Sequence, residues 1–186
     1  MLKIKRKTLA FSVIILIILG LYFLFFQKSE EKVLNLPQKR NMKITSPAFQ
    51  NNDTIPKKYT CDGDNVNPPL EISEVPVNTQ SLVLIMDDPD APVGTWVHWT
   101  IWNIDPKITK IEENSVPIKA VEGKTSFGNT GYGGPCPPSG IHRYFFKLYA
   151  LDIKPDISSS SKKDKLEETI KNHILDYAEI IGLYSR

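Results

Sequence analysis

The stretch LVLIMDDPDAP, residues 82–92, runs five apolar residues, Leu82 to Met86, straight into three carboxylates framed by prolines. A short continuous apolar run bounded by turn residues fits a strand buried in a core. Asp and Pro then suit a turn, because Asp bonds its own backbone and Pro pre-sets φ. Solubility alone does not require Asp87, Asp88 and Asp90 within four residues beside Pro89 and Pro92. The turn is therefore expected to carry its acids to other side chains.

The segments on either side support a β-rich core. VHWTIWNI (97–104) and RYFFKLYALD (143–152) are aromatic and β-branched, with Pro- and Gly-rich connections between them, a pattern of strands. Only the end reads as helical. After the serine run 158–161, Leu166, Ile170, Ile174, Tyr177 and Ile181 recur at spacings of three and four, forming one apolar stripe. The stripe is expected to pack on a sheet. No internal repeat is visible.

Three histidines occur. His173 lies beside the stripe and reads as a plain helix residue. His98 lies within TWVHWTIW, and His142 follows the loop TGYGGPCPPSG (130–140) and opens the next strand. Strand alternation places Tyr144 on the face of His142, and Trp96 on the face of His98. The loop holds four glycines and three prolines in eleven residues. Glycine allows close backbone approach and proline restricts motion, so loop N–H groups beside histidine donors would form a preformed anion cradle. It is no phosphate-binding P-loop, because G-x-x-x-x-G-K-[ST] is absent.

The 186 residues suit one domain with a core of ordinary size. Basic and acidic residues nearly balance, 23 against 21, which excludes a nucleic-acid footprint. The distribution is uneven. Lys3, Lys5, Arg6 and Lys7 precede an apolar run from Leu9 to Phe26, and taking those four away leaves 19 basic against 21 acidic residues. Eighteen residues span about 27 Å as a helix, close to the hydrocarbon thickness of a bilayer. Residues 1–26 are therefore expected to be a cytoplasmic basic segment and a transmembrane signal anchor, with everything after Phe26 outside. Export after signal-peptide cleavage is the alternative; GLYFLFFQKSEEK lacks the A-x-A pattern that cleavage needs. Residues 27–41, QKSEEKVLNLPQKRN, are charged and aperiodic and read as a linker. Residues 42–186 hold 13 of the 14 prolines and read as the folded domain.

Taken together, DDPDAP, TWVHW and GYGGPCPPSGIHRYFFKLYALD resemble the phosphatidylethanolamine-binding protein family, also called the Raf kinase inhibitor protein family, in its bacterial and archaeal branch. The resemblance covers nearly all of residues 42 to 186; the N-terminal anchor lies outside it. It implies a mainly β fold, with a large central antiparallel sheet, a second smaller sheet and peripheral helices including a C-terminal one. It also implies a small surface pocket for phosphate-like or carboxylate anions. By motif, Asp88, Pro89, Asp90 and Pro92 match D-P-D-x-P, and Gly140, His142 and Arg143 match G-x-H-R. Trp96 and His98 match the pocket-wall W-x-H, Gly134 and Pro135 the Gly-Pro lip, and Tyr144 the pocket tyrosine. Cys136 stands where some members have a second proline.

The expected ligand-binding residues are thus Asp88, Trp96, His98, Gly134, Pro135, His142 and Tyr144, with Pro89, Asp90, Pro92 and Arg143 structural. Asp88 beside His98 or His142 can accept an N–H, fix the tautomer and favour the protonated ring. Asp90 can take the Arg143 guanidinium in a two-pronged way and lock the turn to the following strand. His98, His142 and Asp88 could alternatively form a two-histidine, one-carboxylate metal site, although no tight metal-ligand spacing supports it. A hydrolase using Cys136 or Ser139 with His142 is the competing function; Ser139 has no nucleophile-elbow sequence around it. Outside the cytoplasm, Cys61 and Cys136 are a natural disulfide pair.

The expectation is a membrane-tethered extracytoplasmic module for small anions or phosphorylated ligands, a family role that extends to regulating a partner kinase or protease. No catalytic residue, metal, cofactor or nucleic-acid partner is assigned.

Overall fold

The computed structural model describes residues 41–186, together with Leu34 and Leu36. Nine strands are named in chain order. They are β1 (Lys43–Thr45), β2 (Asp53–Thr54), β3 (Leu70–Ser73), β4 (Ser81–Asp88), β5 (Trp96–Ile104), β6 (Lys110–Ile111), β7 (Val121–Glu122), β8 (Ile141–Leu151) and β9 (Ile174–Ser185). A single α-helix, α1 (Lys163–Ile170), precedes β9 among the described residues. The strands form a six-stranded sheet in the order β2-β9-β8-β4-β5-β7 and a three-stranded sheet in the order β1-β3-β6. All pairings are antiparallel except the short β2–β9 pair.

Alternation along β4 explains the layering, since successive side chains point to opposite faces. Leu82, Leu84 and Met86 join Tyr144, Phe146 and Leu148 of β8 in a core closed by Ile44, Leu70, Ile72 and Ile111 of the small sheet. Val83 and Ile85 join Tyr149, Trp102 and Tyr177 on the other face, under Leu166 and Ile170 of α1. With both faces covered, every residue of β4 is buried, including its terminal acids. Leu34 packs against the helix-side cluster, so part of the stretch read as linker lies on the domain.

The C-terminal helix is shorter than its apolar stripe. It ends at Ile170, and Ile174, Tyr177 and Ile181 belong to β9. The same sequence, ILDYAEIIGLYS, is rich in β-branched and aromatic residues, and as a strand it pairs with β8 from Ile141–Ser185 to Leu151–Ile174. Tertiary pairing overrides helical spacing here. His173 accordingly sits in the turn between α1 and β9, its Nδ1 2.9 Å from Asp152 Oδ1. No helix of the described residues is long and apolar enough to cross a membrane; the expected anchor, 9–26, lies outside the described residues.

Candidate anion site

Strands β4, β5 and β8 are neighbours in the large sheet, so Asp88, Trp96, His98, His142 and Tyr144 converge at one end of it. They line a cavity of about 290 Å³ together with Ala91, Pro92, Val93, Phe127 and the Cys136–Pro138 segment. Register explains the convergence: Asp88 pairs with Trp96, while Asp87 pairs with Phe145 across from β8.

Each acid of the turn has a different partner. Asp88 Oδ1 accepts the Asp90 N–H at 2.8 Å and pins the turn; its Oδ2 accepts from His142 Nδ1 at 2.7 Å. Asp90 Oδ2 accepts the Arg143 N–H at 3.0 Å and Nε at 2.8 Å, and Oδ1 accepts Nη2 at 2.6 Å. Arg143 thereby holds the Asp90 carboxyl well below its ordinary range, at about 2. Asp87 points the other way, under α1, fully buried, with Lys147 Nζ 2.8 Å from Oδ1 and Lys163 Nζ 2.7 Å from Oδ2. Lys147 aligns as a hydrogen-bond donor only to Oδ2, at 3.0 Å, so its contact with Oδ1 is electrostatic. The sequence showed the acid but not this lysine pair, because Lys163 comes from a helix 76 positions further along.

The two pocket histidines are built differently. His98 Nδ1 lies 2.6 Å from Gly133 O, and a carbonyl only accepts, so Nδ1 carries the proton. Burial pushes the His98 ring below its ordinary pKa, with the Gly133 carbonyl and the Asp88 and Asp87 charges opposing this less strongly. His98 is thus a neutral ring offering Nε2 as an acceptor. His142 Nδ1 likewise donates to Asp88 Oδ2, and this bond fixes the orientation of the ring.

Tyr144 lies against His98. Its ring meets His98 edge-on at 5.1 Å, it is fully buried, and its hydroxyl has no hydrogen-bond partner. Burial pushes that hydroxyl well above its ordinary pKa, reinforced by Asp88; the Cys136 backbone eases ionisation slightly without hydrogen-bond geometry. A buried hydroxyl left unpaired costs roughly 1–3 kcal/mol. Such groups need an explanation.

Gly134 and Pro135 lie outside the cavity lining, and Cys136, Pro137 and Pro138 form its lip. The Gly134 N–H donates to Asn65 Oδ1 at 2.7 Å, and a Cβ there would meet Tyr59 O at 2.6 Å. Pro135 O accepts the Cys61 N–H at 3.1 Å. Both residues clamp the loop to segment 59–65. The Cys61–Cys136 disulfide fastens the same seam. Phe127 and Val93 were not singled out in the sequence; Phe127 lies between Ser126 and Gly128 in a Gly-punctuated loop, the one signal that could have marked it.

Among the described residues, no three His, Cys, Asp or Glu side chains are grouped to hold a metal ion. Cys136 is disulfide-bonded and Ser139 is exposed and off the cavity lining, so neither stands as a nucleophile beside His142 in this state.

Fold and site together define a two-sheet protein with a His- and Tyr-lined surface cavity at the ends of three adjacent strands. The sequence profile of the phosphatidylethanolamine-binding protein family matches residues 45–185, and the chain belongs to that family. A UPF0098 protein of Methanothermobacter thermautotrophicus is 47% identical over 150 residues, covering 78% of this chain and 99% of the relative. A UPF0098 protein of Pyrococcus horikoshii is 44% identical over 158 residues, covering 80% and 79%. Among solved structures, a phosphatidylethanolamine-binding protein homologue from Chlamydia trachomatis superposes with a TM-score of 0.76 at 40% identity, covering 80% of this chain and 99% of that one. YbcL of E. coli superposes with a TM-score of 0.74 at 31% identity, covering 78% and 98%.

Proposed function

We propose that residues 42–186 bind a small anionic group, a phosphate ester or a carboxylate, in the His98–His142–Tyr144 cavity. The observation that carries this reading is Tyr144, which lines the cavity and whose buried hydroxyl has no hydrogen-bond partner. Tyr144 O–H is the donor for a ligand oxygen, and the His142 ring forms the adjoining wall. The neutral His98 Nε2 accepts, which suits an oxygen that still carries its proton, as in a phosphate monoanion. Asp88 contacts no ligand; it orients the His142 ring through Nδ1.

The family's name refers to phosphatidylethanolamine, whose headgroup carries an anionic phosphate ester, and this supports the ligand class. The group is bound free, as a lipid headgroup, or on a partner kinase or protease regulated through the site. The basic N-terminus and the apolar run 9–26 support a domain tethered outside the membrane.

Tyr144→Phe separates ligand binding from folding. Removing an unpaired buried hydroxyl should leave the melting temperature unchanged or slightly raised, while affinity for inorganic phosphate and phosphoethanolamine, measured by calorimetry, should fall about tenfold, the worth of one hydrogen bond to a charged group. His142→Gln should weaken binding further, because the ring that Asp88 holds against the ligand is lost. Unchanged affinity in both variants would overturn the reading.

A further inference from the structure

Beside the anion cavity lies a larger groove of about 550 Å³, and the two share Val93 and Trp96 as a common wall. The groove is lined by Lys124, Lys162 and Lys163, with Asp164 as its one acid. Lys163 is engaged by Asp87 and Glu167, at 2.7 and 3.4 Å. Lys124 and Lys162 are in no ion pair among the described residues, yet an isolated parallel bridge sets them side by side, with Lys124 N–H donating to Ser161 O at 2.9 Å. Like charges held next to each other on a paired backbone are destabilising unless something neutralises them. Lys124 is half-buried and Lys162 exposed.

The hydroxyl nearby is arranged the same way. Ser126 Oγ accepts the Val97 N–H at 2.9 Å, which leaves its own O–H to donate into the groove. Between this cationic corner and the anion cavity stands an apolar saddle. Trp96 lies edge-on to Phe127 at 5.4 Å, and Val93 is 80% exposed.

Resting on the anion-site reading above, we propose that the ligand is two-headed. One anionic group occupies the His142–Tyr144 cavity, and a second, joined to it by a short apolar or aromatic spacer over Trp96 and Val93, is held by Lys124, Lys162 and Ser126. The class is a small bis-anionic molecule such as a bisphosphate. Exposed lysines hold a lone anion weakly. Tethering the second anion to one already seated in the neighbouring cavity makes its capture intramolecular, which raises the effective concentration.

The test uses the full chain in a non-ionic detergent and compares alkyl monophosphates with α,ω-alkanediol bisphosphates of increasing length by titration calorimetry. At the matching length the bisphosphate should bind at least about tenfold tighter than the monophosphate. Lys124→Ala combined with Lys162→Ala should abolish that gain and leave monophosphate affinity unchanged, whereas His142→Gln should weaken both probes. Lys163 stays in place, because its loss would strand Asp87. No gain at any length, a gain that survives the double variant, or equal weakening of both probes by it would overturn the two-headed ligand. Monophosphate binding without a gain would sink this inference alone; failure to bind either probe would sink the anion-site reading with it.

Discussion

Asp88 and Asp90 are two residues apart, and their side chains have separate roles. Asp88 is almost fully buried and orients His142; Asp90 is part-exposed and ties the turn to Arg143, whose guanidinium also lies 5.7 Å from the Phe145 ring. Because the Arg143 side chain is about half exposed, the pair is a surface bridge of good geometry rather than a buried one. Its contribution follows the Asp90 carboxyl. The folded pKa of about 2 lies below the unfolded value of about 3.9, so the stabilisation is present above the unfolded pKa and is lost as pH falls through the folded one. Asp90→Asn should therefore melt below wild type at neutral pH, with the gap closing between about pH 4 and about pH 2. A gap that is constant over that window in calorimetric melts would show that the carboxylate charge is not what holds the turn.

At the scale of elements, the sheet positions the site and α1 secures the sheet. The buried Asp87 at the end of β4 is neutralised by Lys147 of β8 and Lys163 of α1, which joins three elements at one point. Burial acts to lower the Lys163 pKa, but Asp87 and Glu167 outweigh it and hold the ammonium above its ordinary value. Burial likewise pushes the Glu167 carboxyl up, with Lys163 opposing it. Asp87→Asn leaves two lysines facing a neutral amide. It should destabilise the domain by about 3 kcal/mol, a drop in melting temperature of about 10 °C. Phosphate affinity of the remaining folded protein should be unchanged, since Asp87 faces away from the cavity. A variant that melts like wild type would mean that the cluster is balanced by solvent rather than by the acid.

For the whole molecule, the Cys61–Cys136 bridge spans a sequence separation of 75 and fixes the cavity lip to the segment that buttresses it. Loop entropy assigns such a closure about 4.5 kcal/mol, an upper figure from a chain model. A bridge at this place suits an oxidising compartment, in line with the orientation that the basic N-terminal residues favour. Full-length chain should therefore stay in the membrane fraction after carbonate washing, and protease added outside spheroplasts should digest the domain from residue 42 on. A protected domain would reverse the proposed orientation, and a soluble product beginning near residue 27 would show cleavage.

What the sequence determined by itself were the features written locally or by motif. The apolar run 82–86, the aromatic strands and the period-two pairing of His142 with Tyr144 specify strands and faces, because side-chain alternation depends only on backbone geometry. D-P-D-x-P and G-x-H-R likewise marked the residues that line the cavity or brace it. Long-range competition decided the rest. Residues 174–181 continue the helical spacing in the sequence, and pairing with β8 makes them a strand instead. Which histidine Asp88 would meet was open, since both neighbouring strands of β4 carry one; the Gly133 carbonyl takes His98 and leaves His142 to Asp88. The placement of Gly134 behind the lip, the lysines beneath Asp87 and the groove beyond Trp96 join segments far apart in the chain. Local sequence pattern carries no record of such distances; packing of the two sheets and α1 sets them.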